Sequence, residues 1–229
     1  MSNSEKNLYI WYNGVATANN DLIEYINERS PVIEDKEFLK HLMVGYAANA
    51  HHFKLGYHYD VVIPRMLDFA GVNFNRDDFK TIPYKDGRHD LSYLFPKASH
   101  QYSIDVFVRG IKYHLDGNYS KIINVNKHFT KSAVYSGYHR LFVGSHSIFH
   151  MKNKTISESA PKMLIVGDSQ TIPDIPVLCH YCKELIYIDI RCDINAIKQA
   201  LKGYKYDKCI VEFYNDKLLS LYRKFDEII

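Results

Sequence analysis

The clearest pattern in the chain is a run of apolar residues that ends abruptly in a polar turn. Met163 to Val166 are all apolar, and Gly167, Asp168 and Ser169 follow directly. A short, continuous apolar run is typical of a strand whose two faces are both covered, as in a parallel sheet. Gly167 permits a sharp turn, so the pattern predicts a core strand with Asp168 and Ser169 at its carboxyl end.

Strands and helices alternate from this run to the end of the chain. The predicted elements are a helix beginning near Pro173 whose apolar side continues to Cys182, a strand from Leu185 to Ile190, a helix capped by Asp193, a strand from Cys209 to Phe213, and a helix from Lys217 to Phe225. Such alternation implies right-handed crossovers and a parallel sheet. The sequence therefore predicts an α/β fold with a flavodoxin-like parallel sheet and flanking helices.

The first two thirds of the chain carry weaker signals. We expect a strand from Leu8 to Tyr12, helices over 20–27 and 35–48, and a helix from Val61 to Phe69 that stops at Gly71. Residues of about 74–150 are β-leaning and rich in turns, which predicts a β-rich insertion. We expect one domain over 1–229, in which 160–229 is the best-defined α/β unit.

Composition limits the classes of function. The hydrophobic content of 46% and the charged content of 24% are ordinary for a soluble globular protein. The net charge is only +3, and the basic residues are scattered, which argues against a nucleic-acid partner. The sequence has no apolar run long enough for a transmembrane segment, and its first residues lack an apolar secretion core. As written it predicts a cytoplasmic protein, or an extracytoplasmic one if an upstream signal is missing.

Ser169 is a candidate nucleophile because ligands bind at the carboxyl ends of strands in open α/β sheets. A hydroxyl there, close to the backbone N–H groups of a following helix, suits acyl transfer. Asp and Ser are also ordinary turn and capping residues, so the tripeptide alone leaves both readings open. A nucleophilic serine also requires a base, which is normally a histidine. The chain has 12 histidines, so the base needs further context.

The residues around His58 and Ser169 resemble those of a known family. His58-Tyr59 precedes a predicted helix, and Gly167-Asp168-Ser169 lies far downstream. An Asn stands before that strand at Asn153, and the next strand ends in Asp189-Ile190-Arg191. This arrangement is similar to the SGNH-hydrolase-like O-acetyltransferases that modify bacterial polysaccharides, in the alginate acetyltransferase or DHHW group. In that family an Asp-x-His-Trp segment precedes the helix, and its His and the Gly-Asp-Ser serine are catalytic.

The chain departs from this family at Gly56, which stands where the family has its catalytic Asp. Asp60 is the nearest replacement. Three readings follow: Asp60 or a distant carboxylate substitutes, the enzyme works with a Ser–His dyad, or the site is degenerate. Tyr59 replaces the family's Trp, and Tyr214-Asn215 stands where members usually carry Glu-Arg.

The resemblance implies acyl transfer through an acyl-enzyme. Ser169 would be the nucleophile and His58 the base, assisted by Asp60. Gly167 and Asp168 would shape the turn and the oxyanion site. Arg191, Asn153 and Tyr59 are candidate substrate-binding residues, although Arg191 fits a surface salt bridge equally well. We expect no cofactor, an acetyl donor as a substrate, and a glycan or polysaccharide acceptor.

The cysteines do not predict a metal site. Cys179 and Cys182 have the spacing of a zinc or redox pair, but both fall on the apolar side of the predicted helix. Cys192 and Cys209 are single residues on different elements. Buried free thiols are therefore expected, with disulfides remaining open if the protein is exported.

The sequence thus favours a serine-dependent O-acetyltransferase or esterase that acts on a bacterial polysaccharide or glycan. Two alternatives stay open. One is a catalytically degenerate, carbohydrate-binding relative with the same fold. The other is an α/β protein that binds phosphate or a nucleotide-sugar at the Ser169 turn and Arg191.

Overall fold

The structure is a computed structural model of the chain. It describes residues 8–12, 58–85, 90–97, 101–108, 111–116, 123–124, 148–168, 171–172, 174–213, 224 and 227–228. The helices expected over 20–27 and 35–48 lie outside the described residues, as does almost all of the helix expected from Lys217 to Phe225. Ser169 itself also lies outside them.

A mixed sheet of eight strands runs through the described part of the chain. Its order is β1-β10-β8-β9-β7-β4-β5-β6. A separate hairpin pairs β2 with β3. The strands are β1 (Leu8–Tyr12), β2 (Phe79–Lys85), β3 (Asp90–Pro96), β4 (Ser103–Val108), β5 (Ile111–Asp116), β6 (Ile123–Asn124), β7 (Ile148–Asn153), β8 (Lys162–Gly167), β9 (Glu184–Asp189) and β10 (Lys208–Phe213).

The parallel half of this sheet confirms the predicted α/β class. Strands β1, β10, β8 and β9 run parallel to one another, whereas the pairings of β7, β4, β5 and β6 that extend the sheet beyond β9 are antiparallel. The region expected to form a β-rich insertion therefore supplies strands to the same sheet. The sheet is flavodoxin-like only in its parallel half, because β7 pairs with β9 in the opposite direction.

Strand β8 is apolar from Met163 to Val166 because both of its faces are covered there. Met163 and Ile165 belong to one buried cluster, with Tyr187 and Ile210 of the neighbouring strands. Leu164 and Val166 belong to a second cluster on the opposite face. Burial on both sides removes the alternation of polar and apolar residues that a half-exposed strand would show.

Three α-helices pack against the sheet in the described residues: α1 (Ile63–Phe69), α2 (Ile175–Leu178) and α3 (Ile194–Leu201). A single π-helical turn, His58–Val62, leads into α1. Gly71 takes a positive φ of 74° just after α1, which confirms the predicted stop. Asp193 caps α3 as predicted, since its side chain accepts from the N–H groups of Asn195 and Ala196.

Helix α2 is shorter than the apolar spacing predicted. It ends at Leu178, so Cys179 and Cys182 lie beyond it as buried free thiols. The amide of Asn153 donates to the carbonyl oxygens of Cys179 and His180 at 3.2 and 3.3 Å. These carbonyls are held by a distant side chain, and the chain turns toward β9 where the spacing predicted another helical turn.

The strand order reverses at β8. The chain leaves β8 for β9 on one side and later returns to β10 on the other. In open α/β sheets, the crevice at such a reversal is where ligands bind. Gly167, Asp189 and Glu212 are register partners at this edge. No helix among the described residues is long and apolar enough to cross a membrane.

Candidate active site

The turn after β8 is built around Gly167. A Cβ atom at this position would lie 2.1 Å from Thr171 Oγ1 and 3.0 Å from the carbonyl oxygen of Glu212. Only glycine allows this approach without displacing its neighbours. Thr171 is fully buried, and its hydroxyl donates to the Glu212 carbonyl at 3.1 Å. The turn that carries Asp168 and leads into Ser169 is thereby tied to the end of β10.

Asp168 follows Gly167 and is also buried. Its carbonyl oxygen accepts a hydrogen bond from the Tyr187 hydroxyl at 2.8 Å. Tyr187 lies on β9, so the neighbouring strands on both sides of β8 hold this turn. Gly167 and Asp168 therefore occupy the edge of the sheet where the sequence placed them.

His58 and Asp174 form a buried pair at the site. The Nδ1 atom of His58 lies 2.8 Å from Asp174 Oδ1, and the two side chains are 1% and 0% exposed. His58 opens the π-helical turn before α1, and Asp174 immediately precedes α2. A hydrogen bond from Nδ1–H to a carboxylate fixes the imidazole tautomer and leaves Nε2 as the basic nitrogen.

Burial controls the charge of this imidazole. Desolvation lowers the pKa of His58 from 6.5 to about 4, although the nearby Glu212 carboxylate acts in the opposite direction. His58 is therefore neutral at physiological pH. A neutral imidazole is the form that accepts a proton, so the resting state suits a general base.

Glu212, at the end of β10, completes a buried cluster with the pair. Each of the three residues, His58, Asp174 and Glu212, places one side-chain nitrogen or oxygen atom within 4.8 Å of those of the other two. Burial raises the pKa of both carboxyl groups well above the usual range, and the proximity of Asp174 raises that of Glu212 further. Asp174 Oδ2 is buried without a hydrogen-bond partner among the described residues.

These three side chains are also the described group that could hold a metal ion. An imidazole nitrogen and two carboxylate oxygens suit zinc and related divalent cations. However, His58 Nδ1 and Asp174 Oδ1 are already in direct hydrogen-bond contact. The observed contact is therefore satisfied by a proton without a bridging cation.

The structure does not bring Asp60 to the His58 ring. Asp60 is exposed on the π-helical turn, whereas the ring is buried and contacts Asp174 instead. Residues two apart on such a turn point in different directions, so their closeness in sequence does not place them together. Tyr59 is buried in the apolar core, and its hydroxyl accepts from the Leu94 N–H at 3.3 Å.

Asn153 lies at the opposite edge of the sheet from Gly167. Its N–H donates to the carbonyl of Lys183, just before β9 begins. Its side-chain oxygen accepts from the backbone and hydroxyl of Thr155. With its amide on the turn after α2, the side chain orders loops at the amino ends of the parallel strands, away from the site.

Arg191 lies just after β9, on the same edge as Gly167. Its guanidinium makes two hydrogen bonds to the fully buried carboxylate of Asp189, at 2.8 and 2.6 Å. The pair raises the pKa of Arg191, and Asp168 adds to this effect. Arg191 remains about one third exposed, so part of it can still face a ligand.

Sequence reasoning missed Asp174 and Glu212. Asp174 precedes Ile175 and Pro176 and reads as a helix cap, yet its side chain makes no capping hydrogen bond. Glu212 offered a clearer signal, because it interrupts the apolar run Cys209–Phe213 with a charge. An ionisable residue in a strand that is otherwise core is a functional candidate.

Several solved structures have a similar fold. PatB1 from Bacillus cereus with a sulfonyl adduct matches at a TM-score of 0.53 and 13% identity, over 84% of this chain and 66% of that one. A second PatB1 structure matches at 0.51 and 15%, over 87% and 75%. A DHHW family protein from Eubacterium siraeum matches at 0.54 and 12%, over 95% and 81%.

These similarities confirm the α/β fold. One of the matching structures is a DHHW family protein, which belongs to the group that the sequence resembles. At such low identities they show the fold alone. The chain spans about two thirds of the PatB1 structure with the adduct. No protein-family model matches the sequence, and no curated protein matches it.

Proposed function

We propose that this chain is a serine-dependent O-acyltransferase or esterase of the SGNH type, with a glycan as its acceptor. The observation that carries the proposal is the buried His58–Asp174 hydrogen bond at the carboxyl edge of β8. The turn that leads from Gly167 and Asp168 into Ser169 begins at this edge. In this proposal the base and its orienting acid lie at the strand end from which the chain continues into the candidate nucleophile.

The chemistry follows from the tautomer that Asp174 imposes. His58 keeps its proton on Nδ1, so Nε2 takes the proton of the Ser169 hydroxyl as the oxygen attacks the acyl carbonyl. Backbone N–H groups of the Gly167-Asp168-Ser169 turn would stabilise the oxyanion. The intermediate then collapses, and the leaving alcohol takes the proton from Nε2.

The second half-reaction reverses these roles. An acceptor hydroxyl gives its proton to Nε2 of His58 and attacks the ester carbonyl on Ser169. The serine oxygen leaves and recovers the proton. Water in place of the sugar hydroxyl gives hydrolysis, so one site supports both transfer and esterase activity.

Asp174 supplies the orienting carboxylate that Gly56, which stands in place of the family's Asp, does not have. The family's acid stands two residues before the histidine, but this chain supplies a carboxylate from the segment after the nucleophile. Because the base has an orienting carboxylate, the absence of the family's Asp at Gly56 does not imply a degenerate site. The sulfonyl adduct of PatB1 and the fold shared with a DHHW family protein are consistent with this reading.

The alternative of a phosphate or nucleotide-sugar site receives less support. It relied on Arg191, whose guanidinium already makes two hydrogen bonds to Asp189. Breaking that pair would leave the buried Asp189 carboxylate without its partner, which is costly. We therefore assign Arg191 to holding the end of β9, with its exposed part available to an acidic substrate group.

A fluorophosphonate probe with mass-spectrometric detection tests the proposal. We expect one equivalent of label on the wild-type chain and none on Ser169→Ala. Ser157→Ala is the matched control, since Ser157 lies in an exposed turn and bonds to Ser159. Absence of label on the wild type, or equal labelling of Ser169→Ala, would refute the serine mechanism.

A further inference from the structure

Tyr187 of β9 is completely buried and holds a hydroxyl against the turn after β8. Its ring stacks on Phe149 of the neighbouring strand β7, with the ring centroids 5.5 Å apart and the planes at 23°. Its hydroxyl donates to the carbonyl oxygen of Asp168 at 2.8 Å. Burial raises the pKa of this phenol, and the Asp189 carboxylate raises it further, so the hydroxyl keeps its proton. A neutral donor on a closely packed ring is thus fixed on one backbone carbonyl.

This carbonyl belongs to the peptide group directly before the candidate nucleophile. The carbonyl carbon of Asp168 is bonded to the nitrogen of Ser169, so one amide group contains both the acceptor for Tyr187 and the Ser169 N–H. The same carbonyl also accepts the N–H of Thr171 at 3.2 Å. Two donors on one carbonyl engage both of its lone pairs and draw electron density toward the oxygen. The N–H of an amide that is polarised in this way is a stronger hydrogen-bond donor.

The Asp168 carbonyl is also the first acceptor in a series of turns that leads to the acid beside His58. Its bond from the Thr171 N–H is followed by one from the Asp174 N–H to the Thr171 carbonyl, at 3.0 Å. The Thr171 hydroxyl ties this segment to β10, and Tyr187 ties it to β9. The position of the Asp168 carbonyl therefore affects the whole segment from the end of β8 to Asp174.

We propose that Tyr187 is a positioning residue that strengthens an oxyanion donor in the proposed acyl transfer. Its hydroxyl holds and polarises the Asp168–Ser169 peptide group, so that the Ser169 N–H better stabilises the charge that develops on the acyl oxygen. Tyr187 acts through the backbone, and its proton stays on the phenol oxygen throughout turnover. The inference rests on the proposed function, because it gives Tyr187 a part in the same reaction.

The competing explanation is that the Tyr187 hydroxyl only stabilises the fold. Removing any buried hydroxyl from a carbonyl costs stability, whether or not the carbonyl serves catalysis. Tyr204 provides a matched comparison, because its hydroxyl donates to the carbonyl of Met163 at 3.0 Å. Met163 lies near the amino end of β8, whereas Asp168 follows its carboxyl end. The two tyrosines therefore make the same type of bond at opposite ends of one strand.

Tyr187→Phe and Tyr204→Phe separate these explanations. Each variant loses one hydrogen bond to a backbone carbonyl, so both should melt at a somewhat lower temperature than the wild type. Tyr187→Phe should also react with the fluorophosphonate probe, and turn over p-nitrophenyl acetate, about 10-fold more slowly, with KM nearly unchanged. Tyr204→Phe should keep the wild-type rates. The expected loss is smaller than the roughly 10²- to 10³-fold cost of removing an oxyanion donor, because the Ser169 N–H remains.

Replacing Tyr187 with a fluorinated tyrosine tests the polarisation itself, and does so even if Tyr187→Phe fails to fold. Fluorine makes the phenol a stronger donor with little change in shape, so serine labelling should be faster than in the wild type. Wild-type rates in Tyr187→Phe, equal losses in the two Phe variants, or rates that do not follow donor strength would overturn the inference and leave the proposed function standing. A wild-type chain without labelling of Ser169 would instead refute the proposed function, and the inference with it.

Discussion

At the level of single residues, the proposed catalysis depends on which carboxylate orients His58. The imidazole is buried and bonded to Asp174, whereas Asp60 is exposed. In Ser-His-Asp enzymes, loss of the acid costs about 10⁴ in rate, because the imidazole loses its tautomer and the stabilisation of its charged form.

Asp174→Asn should therefore lower kcat/KM for an activated ester by about 10²- to 10⁴-fold. Asp60→Asn should leave it close to wild type, since that side chain is in solvent. Steady-state kinetics on both variants, with circular dichroism as a check of folding, makes the comparison. A large loss in Asp60→Asn with none in Asp174→Asn would return the role to Asp60.

The depressed pKa of His58 predicts an unusual acid limb. Reaction requires the neutral imidazole, and burial keeps it neutral until the pH falls to about 4. Serine labelling should thus continue below pH 6.5, where an ordinary histidine is already half protonated. The rate of labelling against pH measures this directly. A midpoint near 6.5 would mean that His58 is not the base, or that it is exposed to water.

The sequence predicted only some of the residues that form the candidate site. Gly167 and Asp168 lie at the predicted edge, because a run that is buried on both faces must end in a turn. The sequence did not predict that Asp174 is the carboxylate beside His58. Asp174 resembles an ordinary helix cap, and it contacts His58 only through the tertiary fold. Nothing local to either residue encodes that contact.

At the scale of elements, the turn after β8 depends on glycine for space. A side chain at Gly167 would collide with Thr171 and Glu212, and the colliding Glu212 atom is a backbone oxygen. Gly203 differs, because it has a positive φ of 75° but open space around it.

Gly167→Ala should separate the turn from β10, lower the melting temperature and abolish serine labelling. Gly203→Ala should cost about 1 kcal/mol through backbone strain and leave labelling unchanged. Thermal unfolding and probe labelling of the two variants provide the measurement. Full labelling of Gly167→Ala would show that the turn tolerates the displacement.

Helix α3 offers a stability prediction that is independent of the site. Asp193→Ala removes the side-chain acceptor for two backbone N–H groups, which costs about 1 kcal/mol of the free energy of unfolding. Gln199→Ala, at an exposed position of the same helix, is the control. Urea denaturation should give a lower free energy of unfolding for Asp193→Ala than for Gln199→Ala, and probe labelling under native conditions should be unchanged in both variants. Equal stabilities would show that the cap contributes nothing.

The sequence predicted the elements that have a local sequence signal, such as an apolar run or a capping residue. Strands β8, β9 and β10 and the cap of α3 follow from apolar runs and from Asp193. Helix α2 was expected to be longer, because the spacing of Cys179 and Cys182 suits a helix. The carbonyls beyond its end bond to Asn153, which comes from another strand, so the sequence around α2 does not reveal where it stops.

At the scale of the whole molecule, the sheet order decides where chemistry can occur. The reversal at β8 brings Gly167 between the ends of β9 and β10, which carry Asp189 and Glu212. Asn153 lies at the other end of the strands. The alternation of strands and helices predicted the parallel half, but the antiparallel pairing of β7 with β9 depends on long-range contacts.

The central claim is that His58 and Asp174 activate Ser169 for acyl transfer. Mapping the acyl group after acid quenching of a reaction with p-nitrophenyl acetate tests it most directly. We expect an acetyl ester on Ser169 in the wild type, none in His58→Ala, and slower accumulation in Asp174→Asn. A wild-type chain that turns over the ester without acylation of Ser169, or with acetyl on another residue, would contradict it.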